Sequence, residues 1–155
     1  MKNSIYIASI CALLLAACGK VNFIEQTQRF PQQEWAASVQ PTASFDIQDT
    51  SSLYHIYVVL RHTDAYRYNN IWLNVISQSP NDSPKTQLLN IALADNTKGW
   101  LGSGMDDIYD RRARITLEPI PLRKGLYTFK LQQAMREDPL AYIMSAGMRV
   151  EKVQP

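Results

Sequence analysis

Leu15-Ala16-Ala17-Cys18 is the run whose residue types and spacing prescribe a reaction. A thiol just after an apolar segment is presented at a membrane surface, where diacylglycerol can alkylate it. Small side chains immediately before the cysteine fit a peptidase that cuts there, and Leu15 completes the pattern of a bacterial lipobox. The α-amine freed on Cys18 is then open to acylation as well. Two or three acyl chains hold a protein stably at a bilayer, where one chain does so only marginally. Upstream, Lys2 gives a positive start, and Ile5–Leu15 is an apolar stretch of 11 residues interrupted only by Ser9. A bilayer span takes about 20 residues, so this stretch reads as a cleaved signal. The expected layout is a signal peptide at 1–17, a lipidated N-terminus and tether at 18–33, and a folded domain at 34–155. The lipid on Cys18 is the expected membrane element.

The other residues with chemical potential make weaker patterns. His55 and His62 are the two histidines, and no third ligand stands at a spacing that would make a zinc site. Both read as structural. Asp106, Asp107 and Asp110 do not fit a calcium loop and read as a solvated acidic turn. Arg111, Arg112 and Arg114 follow, and read as local pairing across a solvated loop. Gly-x-Ser-x-Gly, His-Glu-x-x-His and phosphate-loop patterns are absent from the sequence. No catalytic residue, metal or small-molecule cofactor is therefore expected. Both cysteines, Cys11 and Cys18, lie in the first eighteen residues, so the domain is expected to fold without a disulfide.

One segment combines glycines, aromatics and charges. Lys98–Asp110 is too long for a hairpin turn, and carries Gly99, Gly102 and Gly104 with Trp100, Tyr109 and the three acids. With its continuation to Arg114 it reads as an interaction loop, with Trp100, Asp107 and Tyr109 as its contact residues. The rival reading has Trp100 and Ile108 packing inward and shaping the loop. Tyr66, Tyr68 and Trp72 form a second aromatic region, and Trp72 and Trp100 are candidates to plug the ends of the fold.

The elements that position these residues read as strands. Leu53–Leu60 is β-branched and aromatic with both faces apolar, which suits a central strand. Ile71, Leu73 and Val75, then Leu89, Ile91 and Leu93, then Tyr127, Phe129 and Leu131 recur with period two. Tyr127, Phe129 and Leu131 are expected in the core. Shorter candidates are Val21–Gln28, Ser38–Ile47, Arg114–Leu117 and Gly147–Val153, although Glu25–Gln33 is polar and reads as irregular. Short helices are alternatives at Met105–Arg112 and Ala134–Tyr142. About eight strands separated by turn residues give an all-β class, an antiparallel β-sandwich of immunoglobulin-like or jelly-roll topology behind a cleaved lipoprotein signal peptide. Hydrophobic residues at 46%, charged residues at 19% and a net charge of +2 are those of a globular domain and give no support to nucleic-acid binding.

Several of these residues together resemble a known family. The lipobox is followed by Trp35, by Tyr54-x-x-Tyr57-x-x-x-Arg61-x-x-x-x-Tyr66 and by Asn70-Ile71-Trp72-Leu73. Leu93-Ala94-Asp95, Gly99-Trp100-Leu101-Gly102-Ser103-Gly104, Asp107-Ile108-Tyr109-Asp110, Gln133-Ala134-Met135-Arg136 and Gly147-Met148-Arg149-Val150 complete the match. The pattern resembles the GldH family of gliding motility-associated lipoproteins and covers nearly the whole mature chain. The resemblance implies a non-enzymatic protein of the Bacteroidota cell envelope, needed for gliding and tied to type IX secretion. Its implied partners are other gliding or secretion envelope proteins. Only the lipid-bearing cysteine carries over residue for residue, at Cys18. In such bacteria an acidic run after the cysteine marks surface exposure. Gly19 and Lys20 stand there instead, so an outer-membrane anchor facing the periplasm is expected. A lipid-anchored sugar- or peptidoglycan-binding sandwich is the alternative.

Overall fold

The structure, a computed structural model, describes residues 22–153; the signal segment and Leu15-Ala16-Ala17-Cys18 lie outside the described residues. The first sheet has the spatial order β1 (Phe23–Arg29), β14 (Ile143–Lys152), β4 (Leu53–Thr63), β10 (Ile108–Arg114), β9 (Ser103–Met105), with β11 (Ile120–Pro121) against the start of β4. The second has the order β3 (Thr42–Ile47), β12 (Gly125–Gln133), β5 (Asn70–Gln78), β6 (Lys85–Ala92). Two short ribbons flank them: β2 (Glu34–Trp35) with β13 (Leu140–Ala141), and β7 (Ala94–Asp95) with β8 (Gly99–Trp100). All these pairings are antiparallel.

Eight strands are long. In chain order the first pairs with the last (β1·β14), the second with the seventh (β3·β12), the third with the sixth (β4·β10) and the fourth with the fifth (β5·β6). That is one antiparallel ribbon rolled on itself, the jelly roll rather than the immunoglobulin topology. Both sheets turn an apolar face to one core. Tyr54, Ile56, Val58 and Leu60 of β4 are buried, and so are Ile71, Leu73 and Val75 of β5 and Tyr127, Phe129 and Leu131 of β12. The period of two seen in the sequence is therefore the core face of each strand. Trp35, fully buried, closes one end; it stacks on Phe30 at 4.9 Å and donates its indole N–H to Val39 O at 2.8 Å. Trp72 does not plug an end as expected, because its position on β5 has outward parity and leaves it 40% exposed.

Three local expectations are corrected. Glu25–Gln33 is not irregular: Phe23–Arg29 is an edge strand, in register with β14 from Phe23↔Glu151 to Arg29↔Ser145. The folded body thus begins before residue 34. Gln26 also ties β1 to the facing sheet, donating from Nε2 to Ser44 O at 2.7 Å and accepting from Ser44 N at 2.9 Å. Met105–Arg112 and Ala134–Tyr142 are not helical; the first belongs to β9 and β10, and the second holds bends and β13.

The long axis has two ends. Asn22, the start of β4 and the end of β14 share one, since Lys152 N donates to Asn22 O and Val153 N to Leu53 O. Thr63 and the β9–β10 hairpin share the other. Eleven residues of β4 separate them, about 35 Å at the usual rise per residue. The first end is called the base below and the second the tip.

Candidate functional site

The segment singled out as an interaction loop folds as a hairpin at the tip. Met105 pairs with Ile108, which leaves Asp106-Asp107 as a two-residue turn. Asp106 takes φ 54°, the left-handed value that tight hairpin turns require and that Asp tolerates. The register sets Tyr109 opposite both Gly104 and His62. A Cβ on Gly104 would stand 2.7 Å from the Tyr109 ring, so glycine is what lets that ring lie flat across the strand. At Gly102, with φ 107°, a Cβ would stand 2.2 Å from Asp110 O.

Beneath the hairpin is an aromatic cluster built on His62. Its ring lies 4.7 Å from Trp100, 5.7 Å from Tyr66 and 5.8 Å from Tyr109, the last nearly parallel. His62 is fully buried. A carbonyl can only accept, so the contact between His62 Nδ1 and Thr63 O at 2.9 Å places the proton on Nδ1. His62 Nε2 and Thr63 Oγ1 are buried without a hydrogen-bond partner. Burial pushes the His62 pKa down, so the ring is neutral. Burial likewise pushes the Tyr66 phenol up, and its hydroxyl donates to Asn70 O at 3.0 Å.

On the outer face Arg61 grips Asp110 with two donors, Nε at 2.7 Å and a terminal nitrogen at 2.8 Å. That fork holds the Asp110 carboxyl below the usual carboxylate range. The turn is fixed by Asp64 N donating to Asp107 O at 2.8 Å. A cavity of about 380 Å³ lies between Arg61, Asp110 and Ser103–Ile108.

The sequence-predicted residues therefore divide. Trp100 and Tyr109 come together, 5.9 Å apart, half-buried and packed inward. Asp107 stands apart in the exposed turn beside Asp106 and Met105, which is 78% exposed. The three acids do not converge, because Asp110 is committed to Arg61. Among the described residues no group of His, Cys, Asp or Glu is placed to hold a metal. The arginines do not pair locally as expected. Arg112 reaches Glu25 of β1 at 3.3 Å and Arg111 donates to Ala92 O at 3.0 Å, because both lie on a sheet strand, not in a loop. The central role of His62 was missed. Its signal was parity: it falls on the same face of β4 as Tyr54, Ile56, Val58 and Leu60.

Fold and site together define a jelly-roll sandwich with a hairpin at its tip, backed by an aromatic cluster. The chain belongs to the GldH lipoprotein family, whose sequence model matches residues 22–150. It is 26% identical to the gliding motility lipoprotein GldH of Flavobacterium johnsoniae over 98% of both chains. It is 23% identical to the gliding motility lipoprotein GldH homolog of Christiangramia forsetii over 96% of this chain and 95% of that one. No solved structure matches it significantly.

Proposed function

We propose that this chain is a cell-envelope lipoprotein of the gliding apparatus. Residues 1–17 are its signal peptide, and Cys18 carries the lipid that holds it to the outer membrane, facing the periplasm. It acts without catalysis, as an accessory linked to type IX secretion, through contacts with other envelope proteins. The exposed turn of the β9–β10 hairpin, with Asp107 at its head, is the contact surface. The observation that carries this reading is the match to gliding motility lipoproteins along nearly the entire chain, together with the lipobox at Leu15–Cys18. Cys18→Ala should abolish fatty-acid labelling and release the protein from the membrane fraction; labelling at the wild-type level would refute the anchor. For the contact surface, a photo-cross-linker at Asp107 should capture an envelope protein in vivo, whereas one at Leu88 on the sheet face should not. Equal capture at both would move the surface elsewhere.

A second reading, glycan binding, rests on Trp72. It stands on the outer face of the second sheet opposite Asn90, diagonal to Leu88, with the Asn70 amide donating to Asn90 Oδ1 at 2.8 Å. An exposed indole among amides is a surface on which a sugar ring can stack. Trp100 is half-buried and packed against the core, so it offers no such open face. Binding of peptidoglycan fragments that Trp72→Ala abolishes at unchanged thermal stability would favour this reading.

A further inference from the structure

We infer that the base of the sandwich lies on the lipid surface itself, with its exposed apolar side chains entering the headgroup layer. This rests on the lipid anchor at Cys18 proposed above. Among the described residues nine large apolar side chains are exposed, and five gather at the base: Phe23, Ile24, Leu53, Leu117 and Leu126. Phe23 opens β1, and Leu53 opens β4. Leu117 follows Thr116, whose hydroxyl meets His55 near the start of β4 at 3.0 Å, and Leu126 pairs with Asp46. Asp46 lines a cavity of about 210 Å³ shared with Phe23, Ile24, Tyr54 and Val150. Leu117 is 89% exposed, which nothing in the packing of the domain explains.

The chain length names the occupant. Asn22 lies at this same end, bonded to Lys152. Cys18 is four residues earlier, a stretch that reaches at most about 14 Å when fully extended. A lipid on Cys18 therefore keeps the base within about one headgroup layer of the bilayer, and the apolar side chains nearest the anchor meet lipid first. The local charges fit a shallow seat. Asp49 is paired with Lys152 and Asp82 with Arg123, which lowers the cost of drawing them toward the surface. Asp46 and Glu118 carry charge beside Leu126 and Leu117, and they limit entry to the interface, about 5–10 Å deep for seated apolar groups.

The test uses the full mature lipoprotein, purified with its acyl chains and reconstituted in vesicles of phosphatidylethanolamine and phosphatidylglycerol. Cys11 leaves with the signal and the Cys18 sulfur is a thioether, so one introduced cysteine is the one free thiol. An environment-sensitive fluorophore goes on Leu117→Cys or Leu126→Cys, and on Met105→Cys or Leu88→Cys as distant positions. The first pair should emit blue-shifted and lose fluorescence to spin-labelled lipid; the second pair should do neither. If the protein floats with the vesicles but all four labels behave alike, the seated base is wrong and the anchor stands. A blue shift at Leu117 and Leu126 without loss to the lipid quencher means that a protein, a second copy included, covers this face, and overturns the inference. Failure to float removes the anchor, and the seat with it.

Discussion

His62 is the residue on which the tip turns. Its ring supports Trp100, Tyr66 and Tyr109 at once, yet one of its nitrogens is buried without a partner. Burial holds it neutral, so below its ordinary pKa of 6.5 the unfolded chain binds a proton that the folded chain refuses. The contribution of His62 to stability is whole above that pH and shrinks as the pH falls through it. His62→Phe keeps the aromatic packing and removes both the orphan nitrogen and the proton. Denaturant midpoints of His62→Phe should fall less than those of the wild type between about pH 7 and about pH 5. Parallel curves would show that other groups set the slope. Tyr109 and Asp107, three positions' worth of the same hairpin, should behave oppositely. Tyr109→Ala strips a half-buried ring from His62 and Gly104 and should cost about 1–3 kcal/mol of unfolding free energy. Asp107→Lys changes an exposed side chain whose backbone makes the local bond, and should stay within about 0.5 kcal/mol. Asp107→Lys is thus the variant that reports on partner contact without reporting on folding.

At the scale of elements, what the sequence made legible is what hydrophobic alternation encodes. β12 reads as Tyr127, Phe129 and Leu131 inward and Thr128 and Lys130 outward, and it folds that way because it lies between β3 and β5 with one face on the core. Phe129, which meets Phe45 at 6.0 Å, should cost about 3–5 kcal/mol on replacement by Ala in equilibrium unfolding. Elements that take their order from a partner carry no such pattern. β1 is almost wholly exposed, so Val21–Gln28 reads only as a short strand candidate that overlaps a segment read as irregular; its order comes from register with β14. The β9–β10 hairpin was hidden for another reason: its turn is Asp-Asp, not the Asn-Gly or Asp-Gly that announces a tight turn, and its glycines make room for a ring and a carbonyl instead. The sequence also left open which strands pair, because jelly-roll and immunoglobulin sandwiches share the same alternation and differ only in long-range order. Gly147 tests the β1 seam. A Cβ there would stand 2.0 Å from Gln26 O, so Gly147→Ala must push β1 off β14. A loss of about 1–3 kcal/mol is expected, with hydrogen exchange rising first at Phe23–Arg29.

For the molecule as a whole, rolling one ribbon puts the first strand beside the last, and Asn22 and Val153, the limits of the described residues, both lie at the base, while the hairpin stands about 35 Å away. A lipoprotein tethered by its N-terminus and engaged at its tip would be a strut between a bilayer and a partner. That arrangement decides how the domain answers to mechanical load. Tension between anchor and tip runs along the strand axis, and it pulls β1 lengthwise past β14. All seven residue pairs from Phe23↔Glu151 to Arg29↔Ser145 then share the force together, in shear. Tension applied between the two chain ends would peel the same pairs one at a time from the base. Single-molecule pulling from the N-terminus against a handle at Asp107 should therefore give a markedly higher rupture force than pulling from the N-terminus against the C-terminus. Equal forces would mean that some strand other than β1 yields first. The same seven pairs are thus a strong clamp in one direction and a zip in the other.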